Sequence, residues 1–177
     1  MSKEAKEWVT GIVIGLILML LLSVKVLAAT PEEAERYLSE NAVEIPEEVE
    51  FWANHYGAMY GVKPEIIEAV CWVESRCTQD AQNADKSCKG LMQIKVSSHR
   101  ARMQKCNVQN IFGIRENIKV GADYLAELDG ERDISEALMA YNGDTNGVTR
   151  YRETGKVSKY AREVLEVSAA LERLHNK

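Results

Sequence analysis

The chain has 177 residues, of which 22 are Lys or Arg and 27 are Asp or Glu, so its formal net charge is −5. This length is enough for one domain with a proper core plus an N-terminal segment, and it excludes two substantial domains. Proteins that bind nucleic acid use Lys and Arg to neutralise phosphates, and because no basic block occurs in this sequence we expect no nucleic-acid partner.

An apolar run of seventeen residues, from Trp8 to Val24, lies near the N-terminus. A run of this length is at the lower edge for a membrane span, and the Val26-x-Ala28 pattern after it is typical of a signal-peptidase site. Residues 1–28 are therefore either a cleaved signal peptide, which the cleavage pattern favours, or a retained membrane anchor. Since both alternatives export the rest of the chain, we expect an extracytoplasmic protein, secreted or anchored in the membrane.

Two helices are predicted next. Thr30-Pro31-Glu32-Glu33 has the form of a capping box with proline in the first turn, and it begins a short acidic helix. We assign residues 29–46 to an acidic spacer. A second helix begins near Glu47 and carries a stripe of aromatic residues, which the pattern places in the core. That stripe consists of Phe51, Trp52, His55 and Tyr60.

The following helix places a carboxylate on an apolar face. Pro64 suits its first turn. Four residues then recur at i, i+3, i+4 and i+7 on one side, namely Ile67, Val70, Cys71 and Glu74. Partial burial disfavours the ionised form of a carboxyl and raises its pKa, which suits a group that donates a proton near neutral pH. Glu74 is therefore a candidate general acid.

The four cysteines all follow the N-terminal segment, as disulfides in an oxidising compartment require. They are Cys71, Cys77, Cys88 and Cys106. A zinc site is the alternative, but no Cys-x-x-Cys pair occurs and the three histidines are scattered, so no metal is expected. Four cysteines allow three pairings. Our hypothesis joins Cys77 to Cys88 across the loop between them and leaves Cys71 to reach Cys106.

The rest of the chain predicts loops, one short strand and four more helices. Residues 78–89 are polar and are predicted to be loop, and residues 90–94 read as a short buried strand. Helices are predicted over residues 97–105, 117–128 and 133–142 and from residue 158 onward, with loop over residues 144–155.

Four short motifs resemble one known family. Glu74-Ser75 ends a helix, Gly-Leu-Met-Gln-Ile follows a loop at residues 90–94, Ala-Tyr-Asn-Gly stands at residues 140–143, and Tyr-x-x-x-Val stands at residues 160–164. In this order the motifs closely resemble the lytic transglycosylases with the lysozyme-like (SLT) fold, relatives of goose-type lysozyme.

The resemblance implies a mainly α-helical, lysozyme-like α+β fold. We expect one helical domain over residues 47–177 with a small loop or β segment at its cleft, preceded by an N-terminal hydrophobic helix. The resemblance makes Glu74 the catalytic acid and needs no cofactor or metal. The position of a family serine that orients the sugar's acetamido group falls near Asn83, and Ser87 lies a little further on. The substrate-binding residues that it implies are Asn83, Gln93, Tyr141, Asn142 and Tyr160.

The activity implied by the resemblance is cleavage of peptidoglycan strands at the MurNAc–GlcNAc β-1,4 bond without water, leaving 1,6-anhydromuramoyl ends. A hydrolytic, goose-type-like lysozyme is one alternative, with an Asp from residues 80–85 positioning water. A wall-binding assembly protein that has lost activity is another. The membrane is an expected partner only if the N-terminal hydrophobic segment is retained.

Overall fold

A computed structural model describes residues 30–175 of the chain. The predicted signal peptide or anchor lies outside these described residues. Over the described range the chain forms eight helices and one two-stranded antiparallel sheet, so the predicted mainly helical class with a small β segment is confirmed. None of the helices between residues 30 and 175 combines the length and the apolar character needed to cross a membrane.

The elements follow one another in a simple order. They are α1 (Pro31–Glu40), α2 (Glu47–Tyr60), α3 (Pro64–Ser75), β1 (Cys88–Lys89), β2 (Ile94–Lys95), α4 (Val96–Lys105), α5 (Ile114–Asp129), α6 (Ile134–Tyr141), α7 (Thr145–Thr154) and α8 (Lys159–His175). In the sheet, Cys88 pairs with Lys95 and Lys89 pairs with Ile94.

Helix α3 lies at the centre of the domain and packs against α2, α5 and α8. Every residue from Ile66 to Trp72 is buried, so this helix is enclosed on all sides for most of its length. A helix that is apolar all round is stable only inside a protein. The central position of α3 fixes the place at which its C-terminal end, with Glu74, reaches the surface.

Helix α1 begins at the predicted capping box. The Thr30 side chain accepts a hydrogen bond from the Glu33 N–H, and the Glu33 carboxylate accepts one from the Thr30 N–H. Ala34 and Leu38 are buried and belong to the same core as the rest of the domain. Within the stretch assigned to a spacer, α1 therefore packs against α8.

The prediction that the α2 aromatic stripe is core was wrong in part. Phe51 is 61% exposed, and His55 is also exposed. The buried face of α2 is formed instead by Val49, Ala53, Tyr56 and Gly57. Trp52 is half-buried, with the Arg115 guanidinium 5.3 Å from its ring centre.

Two further predictions of local structure were wrong. Residues 144–155 were expected to be loop, yet residues 145–154 form α7, because the Asp144 carboxylate caps it by accepting from the Gly147 N–H at 2.7 Å. Residues 90–94 were expected to be a strand, yet residues 90–93 form a tight turn and only Ile94 enters β2.

All four cysteines are free thiols, so the predicted bonds Cys77–Cys88 and Cys71–Cys106 are not formed in this structure. Cys71 is buried on α3 near Glu74, and the Cys77 N–H donates to its carbonyl at 3.2 Å. Cys106 is buried elsewhere, beside the Tyr60 hydroxyl. The fold thus gives Cys71 and Cys106 different surroundings, and Cys88 lies on strand β1.

Candidate functional site

Glu74 lies in the last turn of α3. Its neighbours on the helical face, Ile67, Val70 and Cys71, are fully buried, as the spacing predicts, and Glu74 itself is half-buried. The helix ends directly afterwards, because Arg76 adopts the left-handed conformation at φ 53°. The carboxyl group therefore stands where the apolar core meets an open cleft.

The Tyr160 hydroxyl is the hydrogen-bond partner of this carboxyl. It donates to Glu74 Oε1 at 2.8 Å from the first turn of α8. Burial raises the pKa of Glu74 above its ordinary value, and the hydrogen bond from Tyr160 opposes that rise. Burial and the nearby Glu74 charge raise the pKa of Tyr160, so it remains a donor at neutral pH. This environment favours a carboxyl that can both give up and take back a proton.

The turn at residues 90–93 is held by side chains from three helices. Ser75 Oγ donates to the Leu91 carbonyl at 2.8 Å, and Tyr141 Oη donates to the Met92 carbonyl at 2.8 Å. The buried amide oxygen of Asn117 accepts from the Met92 N–H at 2.8 Å. These bonds fix the backbone of Leu91 and Met92, which are both fully buried.

Gly90 opens this turn and can only be glycine. Its φ is +79°, a region that side chains with a Cβ rarely adopt, and a Cβ there would collide with the Asn117 amide. The same Asn117 amide nitrogen donates to the carbonyls of Lys89 and Ile111 at 3.0 and 2.8 Å. Asn117 therefore ties the turn, strand β1 and the start of α5 together.

Gln93 is the last residue of the turn, has a φ of 47° and reaches the cleft. Its amide nitrogen donates to the carbonyls of Gly90 at 2.9 Å and Ala81 at 3.2 Å. The side-chain oxygen has no hydrogen-bond donor among residues 30–175. That oxygen, held by the two bonds on the same amide group, is positioned to accept a hydrogen bond from a ligand.

A cleft of about 620 Å³ contains this carboxyl. Five of the six residues predicted for catalysis and sugar binding line it, namely Glu74, Asn83, Gln93, Tyr141 and Asn142. The sixth, Tyr160, does not line the cleft, but its hydroxyl donates a hydrogen bond to the Glu74 carboxylate. Residues from five separate parts of the chain are thus brought to one place.

The loop before β1 forms one side of the cleft. The Asn83 amide oxygen accepts from the Cys88 N–H at 2.9 Å, and its nitrogen donates to Ser87 Oγ at 3.2 Å. Asp85 also lines the cleft, and its carboxylate accepts from the Ser87 N–H at 3.0 Å. Hydrogen bonds from Ser87 hold the pKa of Asp85 below its usual value, so Asp85 is ionised at neutral pH.

The cleft lining also includes two aromatic residues that no sequence motif indicated, His99 and Tyr124. The rings of His99 and Tyr124 lie 4.4 Å apart between centroids, and those of Tyr124 and Tyr141 lie 5.2 Å apart. All three residues line the cleft. The one signal in the sequence was that Tyr124 stands two turns after Asn117 on the same helix. Burial lowers the pKa of His99, which favours its neutral form.

Comparison with protein families gives one match, and no curated protein matches the chain. Residues 51–163 match the model described as "Transglycosylase SLT domain", and this range is more than half of the chain. The chain belongs to the transglycosylase SLT domain family. All six predicted site residues of this SLT domain lie inside the matched range, whereas α1, the start of α2 and all but the first five residues of α8 lie outside it.

The SLT fold is also seen in a solved structure of a lytic transglycosylase. The chain is similar to the lytic transglycosylase Slt of Pseudomonas aeruginosa, solved as an inactive mutant in which a glutamate is replaced by glutamine. The TM-score is 0.56 at 18% sequence identity, and the match covers 70% of this chain and 23% of that one. At this identity the similarity establishes the fold. The SLT chain described here thus corresponds to less than a quarter of that larger protein.

Within residues 30–175, the SLT domain has no group of three or more His, Cys, Asp or Glu side chains arranged to hold a metal ion. The groups that face the cleft are one protonatable acid, one further carboxylate, one ammonium group, one thiol, amides, hydroxyls and rings. Their chemistry suits the recognition of a polar chain and acid–base catalysis on it.

Proposed function

We propose that this SLT domain is a peptidoglycan lytic transglycosylase that acts outside the cytoplasm. The observation that carries the proposal is the Glu74 carboxyl, half-buried at the wall of the cleft and hydrogen-bonded to Tyr160. Family membership supports the same assignment. The predicted export of the chain by residues 1–28 supports the proposed location, because peptidoglycan lies outside the membrane.

In the first step, protonated Glu74 gives its proton to the oxygen that joins MurNAc C1 to GlcNAc. The bond from C1 to that oxygen breaks, and the acetamido group of MurNAc helps to stabilise the positive charge that develops on the sugar ring. The raised pKa of Glu74 supports this role, because burial favours the protonated form of this carboxyl more than that of an exposed one.

In the second step, ionised Glu74 takes the proton from the C6 hydroxyl of the same MurNAc, and O6 forms a new bond to C1. The product is a 1,6-anhydromuramoyl end, and no water is consumed. The hydrogen bond from Tyr160 stabilises the ionised form of Glu74 between the steps. One carboxyl is thus sufficient, because the substrate supplies its own nucleophile.

Binding of the glycan would use the neutral groups around the cleft. The free oxygen of Gln93 and the exposed amide of Asn142 can bond sugar hydroxyls and acetamido groups. The rings of His99, Tyr124 and Tyr141 offer apolar faces beside them. Aromatic faces with a small number of placed polar groups are typical of ligand clefts, and here they would meet the sugar rings of the strand.

A hydrolytic lysozyme is the second candidate, and Asp85 is the observation that favours it. Glycosidases that use water usually need a second carboxylate across the scissile bond. Asp85 lines the same cleft as Glu74 and is ionised. Its carboxylate already accepts a hydrogen bond from Ser87, however, which leaves it less free to activate water.

Mass spectrometry of digested glycan strands distinguishes these functions. A transglycosylase leaves products with 1,6-anhydromuramoyl ends, each lighter by one water than the product of hydrolysis. Glu74→Gln should abolish cleavage while folding and glycan binding persist, whereas Asp85→Asn should retain anhydro product formation. Hydrated products from the wild type that disappear in Asp85→Asn would establish the lysozyme instead. Glycan binding by a wild type that cleaves nothing would point to the wall-binding assembly protein.

A further inference from the structure

Lys95 is the one Lys or Arg among the residues that line the cleft in the described part of the chain. It is the second residue of β2, directly after buried Ile94, and its own side chain is exposed. Because successive side chains of a strand point to opposite faces, Ile94 anchors the strand in the core and Lys95 faces outward into the cleft.

The Lys95 ammonium group has no hydrogen bond and no ion pair with any residue from 30 to 175. Asp85 is the nearby carboxylate whose pKa is lowered in part by the Lys95 charge, but Ser87 contributes more. Asp85 and Lys95 therefore face the same space without forming a salt bridge. The positive charge of Lys95 remains available to a ligand.

The substrate class in the proposed function carries acidic groups at regular positions. MurNAc bears a lactyl group on O3, which ends either in a free carboxylate or in a peptide that has carboxylates of its own. The amides and rings of the cleft cannot distinguish such a strand from a neutral one. An ammonium group on a flexible stem can, because it attracts an anion without demanding one exact geometry.

We propose that Lys95 binds a carboxylate carried by the lactyl group or the peptide of MurNAc, so that the cleft prefers acidic strands over neutral ones. This inference rests on the proposed function. It adds a determinant of substrate choice that acts on binding and takes no part in proton transfer.

The test compares three substrates made from one preparation of glycan strands. The first keeps its peptides, the second has its peptides removed and thus carries free lactyl carboxylates, and the third has its carboxylates converted to methyl amides. The proteins are wild type, Lys95→Gln, Lys95→Arg and Lys89→Gln. Lys89 is the matched control, because it lies on the paired strand β1 and contacts the Phe112 ring outside the cleft lining.

Lys95→Gln should raise KM about two- to fivefold at low ionic strength on an acidic substrate, as expected for one exposed charge pair. Its kcat should stay close to that of the wild type, added salt should remove the difference, and Lys95→Arg should behave like the wild type. The neutral methyl-amide strands should show no change in KM. The acidic substrate that shows the larger effect identifies whether the lactyl group or the peptide supplies the carboxylate.

Two results would overturn the role of Lys95: an equal KM for wild type and Lys95→Gln on all three substrates, or an equal rise on all three. Loss of kcat with unchanged KM would also contradict it. Failure of the proposed function gives a different result, because the wild type would then leave all three substrates uncleaved or release hydrated products in place of 1,6-anhydro products.

Discussion

Tyr160 donates its hydroxyl proton to Glu74 Oε1 at 2.8 Å, although the two residues are 86 positions apart in the chain. Glu74 comes from the central helix α3, and Tyr160 comes from α8, which packs along it. The proton affinity of the candidate acid is therefore set by how these two helices meet. Burial raises the pKa of the carboxyl, and the hydroxyl holds that rise in check.

Tyr160→Phe should move the alkaline limb of the activity profile to higher pH. The Tyr160 hydroxyl stabilises ionised Glu74, so its removal raises the Glu74 pKa further and keeps the acid protonated over a wider range. We expect a shift of about one to two pH units, since a hydrogen bond to a charged group contributes roughly 1.5–3 kcal/mol. The rate at the optimum should fall about tenfold or more, because the ionised acid loses its partner.

The pH dependence of kcat/KM measures this effect, and Tyr151→Phe is the control. The Tyr151 hydroxyl also donates to a carboxylate, that of Asp133 at 3.2 Å, but away from the cleft. Tyr151→Phe should leave the profile in place. An alkaline limb that moves to lower pH in Tyr160→Phe would mean that Glu74 is not the group that must be protonated.

Asn117→Ala should destabilise the protein and loosen the turn that borders the cleft. The Asn117 amide accepts a hydrogen bond from the Met92 N–H and donates to two backbone carbonyls, and it is fully buried. Removing it leaves buried backbone groups without partners, at a cost of about 1–3 kcal/mol for each group. Thermal or urea unfolding measures the loss.

Asn54→Ala provides the comparison for Asn117→Ala. The Asn54 amide donates one hydrogen bond, to the Glu50 carbonyl at 2.9 Å, on an exposed part of α2. Its removal should change the free energy of unfolding by no more than about 0.5 kcal/mol. Equal effects of the two substitutions would show that the Asn117 bonds do not hold the turn.

Gly90→Ala should be more damaging than substitution of the other positive-φ glycines. Gly61, Gly143 and Gly155 have open space where a Cβ would stand, whereas at Gly90 the Cβ would strike the Asn117 amide. The strained backbone costs about 1 kcal/mol or more, and the collision adds to it. Gly143→Ala measures the cost of the strained backbone alone. The free energies of unfolding of the two variants should therefore differ by the cost of the collision with Asn117.

Much of this arrangement could be predicted from the sequence, because helices with strong periodicity reveal their buried face. The spacing of Ile67, Val70 and Cys71 predicted the buried face that carries Glu74. The capping residues Thr30 and Glu33 predicted the start of α1. The aromatic stripe of α2 led to a wrong prediction of its buried face. Phe51 lies on the exposed face of that helix, whereas Tyr56 lies on the buried face. The α7 helix was not predicted, because its residues are mostly polar and show no apolar periodicity. The cap formed by Asp144 was its main signal in the sequence.

The site was predictable where short motifs converge and not where single residues arrive from distant helices. Gln93 and Tyr141 lie inside recognisable motifs, whereas His99 and Tyr124 approach the cleft only because α4 and α5 cross there. Asn117 was predicted only as the first residue of a helix. Its role in holding the turn depends on contacts with residues 25 and 28 positions away, which helical periodicity does not encode.

The free energy of unfolding should depend on pH, because Glu68 carries a titratable carboxyl inside the protein core. It is fully buried on α3, and neither carboxyl oxygen has a hydrogen bond among the described residues. His175 Nε2, on α8, lies 4.0 Å from Glu68 Oε2, and Glu65 and Glu50 add negative charge nearby. Burial raises the pKa of Glu68 to about 7, and the positive charge that His175 can carry opposes the rise.

Because the folded pKa of Glu68 lies above the unfolded value of 4.5, its contribution to stability is present at low pH and is lost as pH rises through about 7. The melting temperature of the wild type should therefore fall between about pH 5 and about pH 8. Glu68→Gln, which is neutral at every pH, should be more stable than the wild type at about pH 8, by on the order of 2 kcal/mol. Exposed Glu153→Gln is the control and should follow the wild-type curve. If Glu68→Gln instead lowers the melting temperature most at high pH, then the ionised carboxylate stabilises the fold, and His175 rather than burial governs its charge.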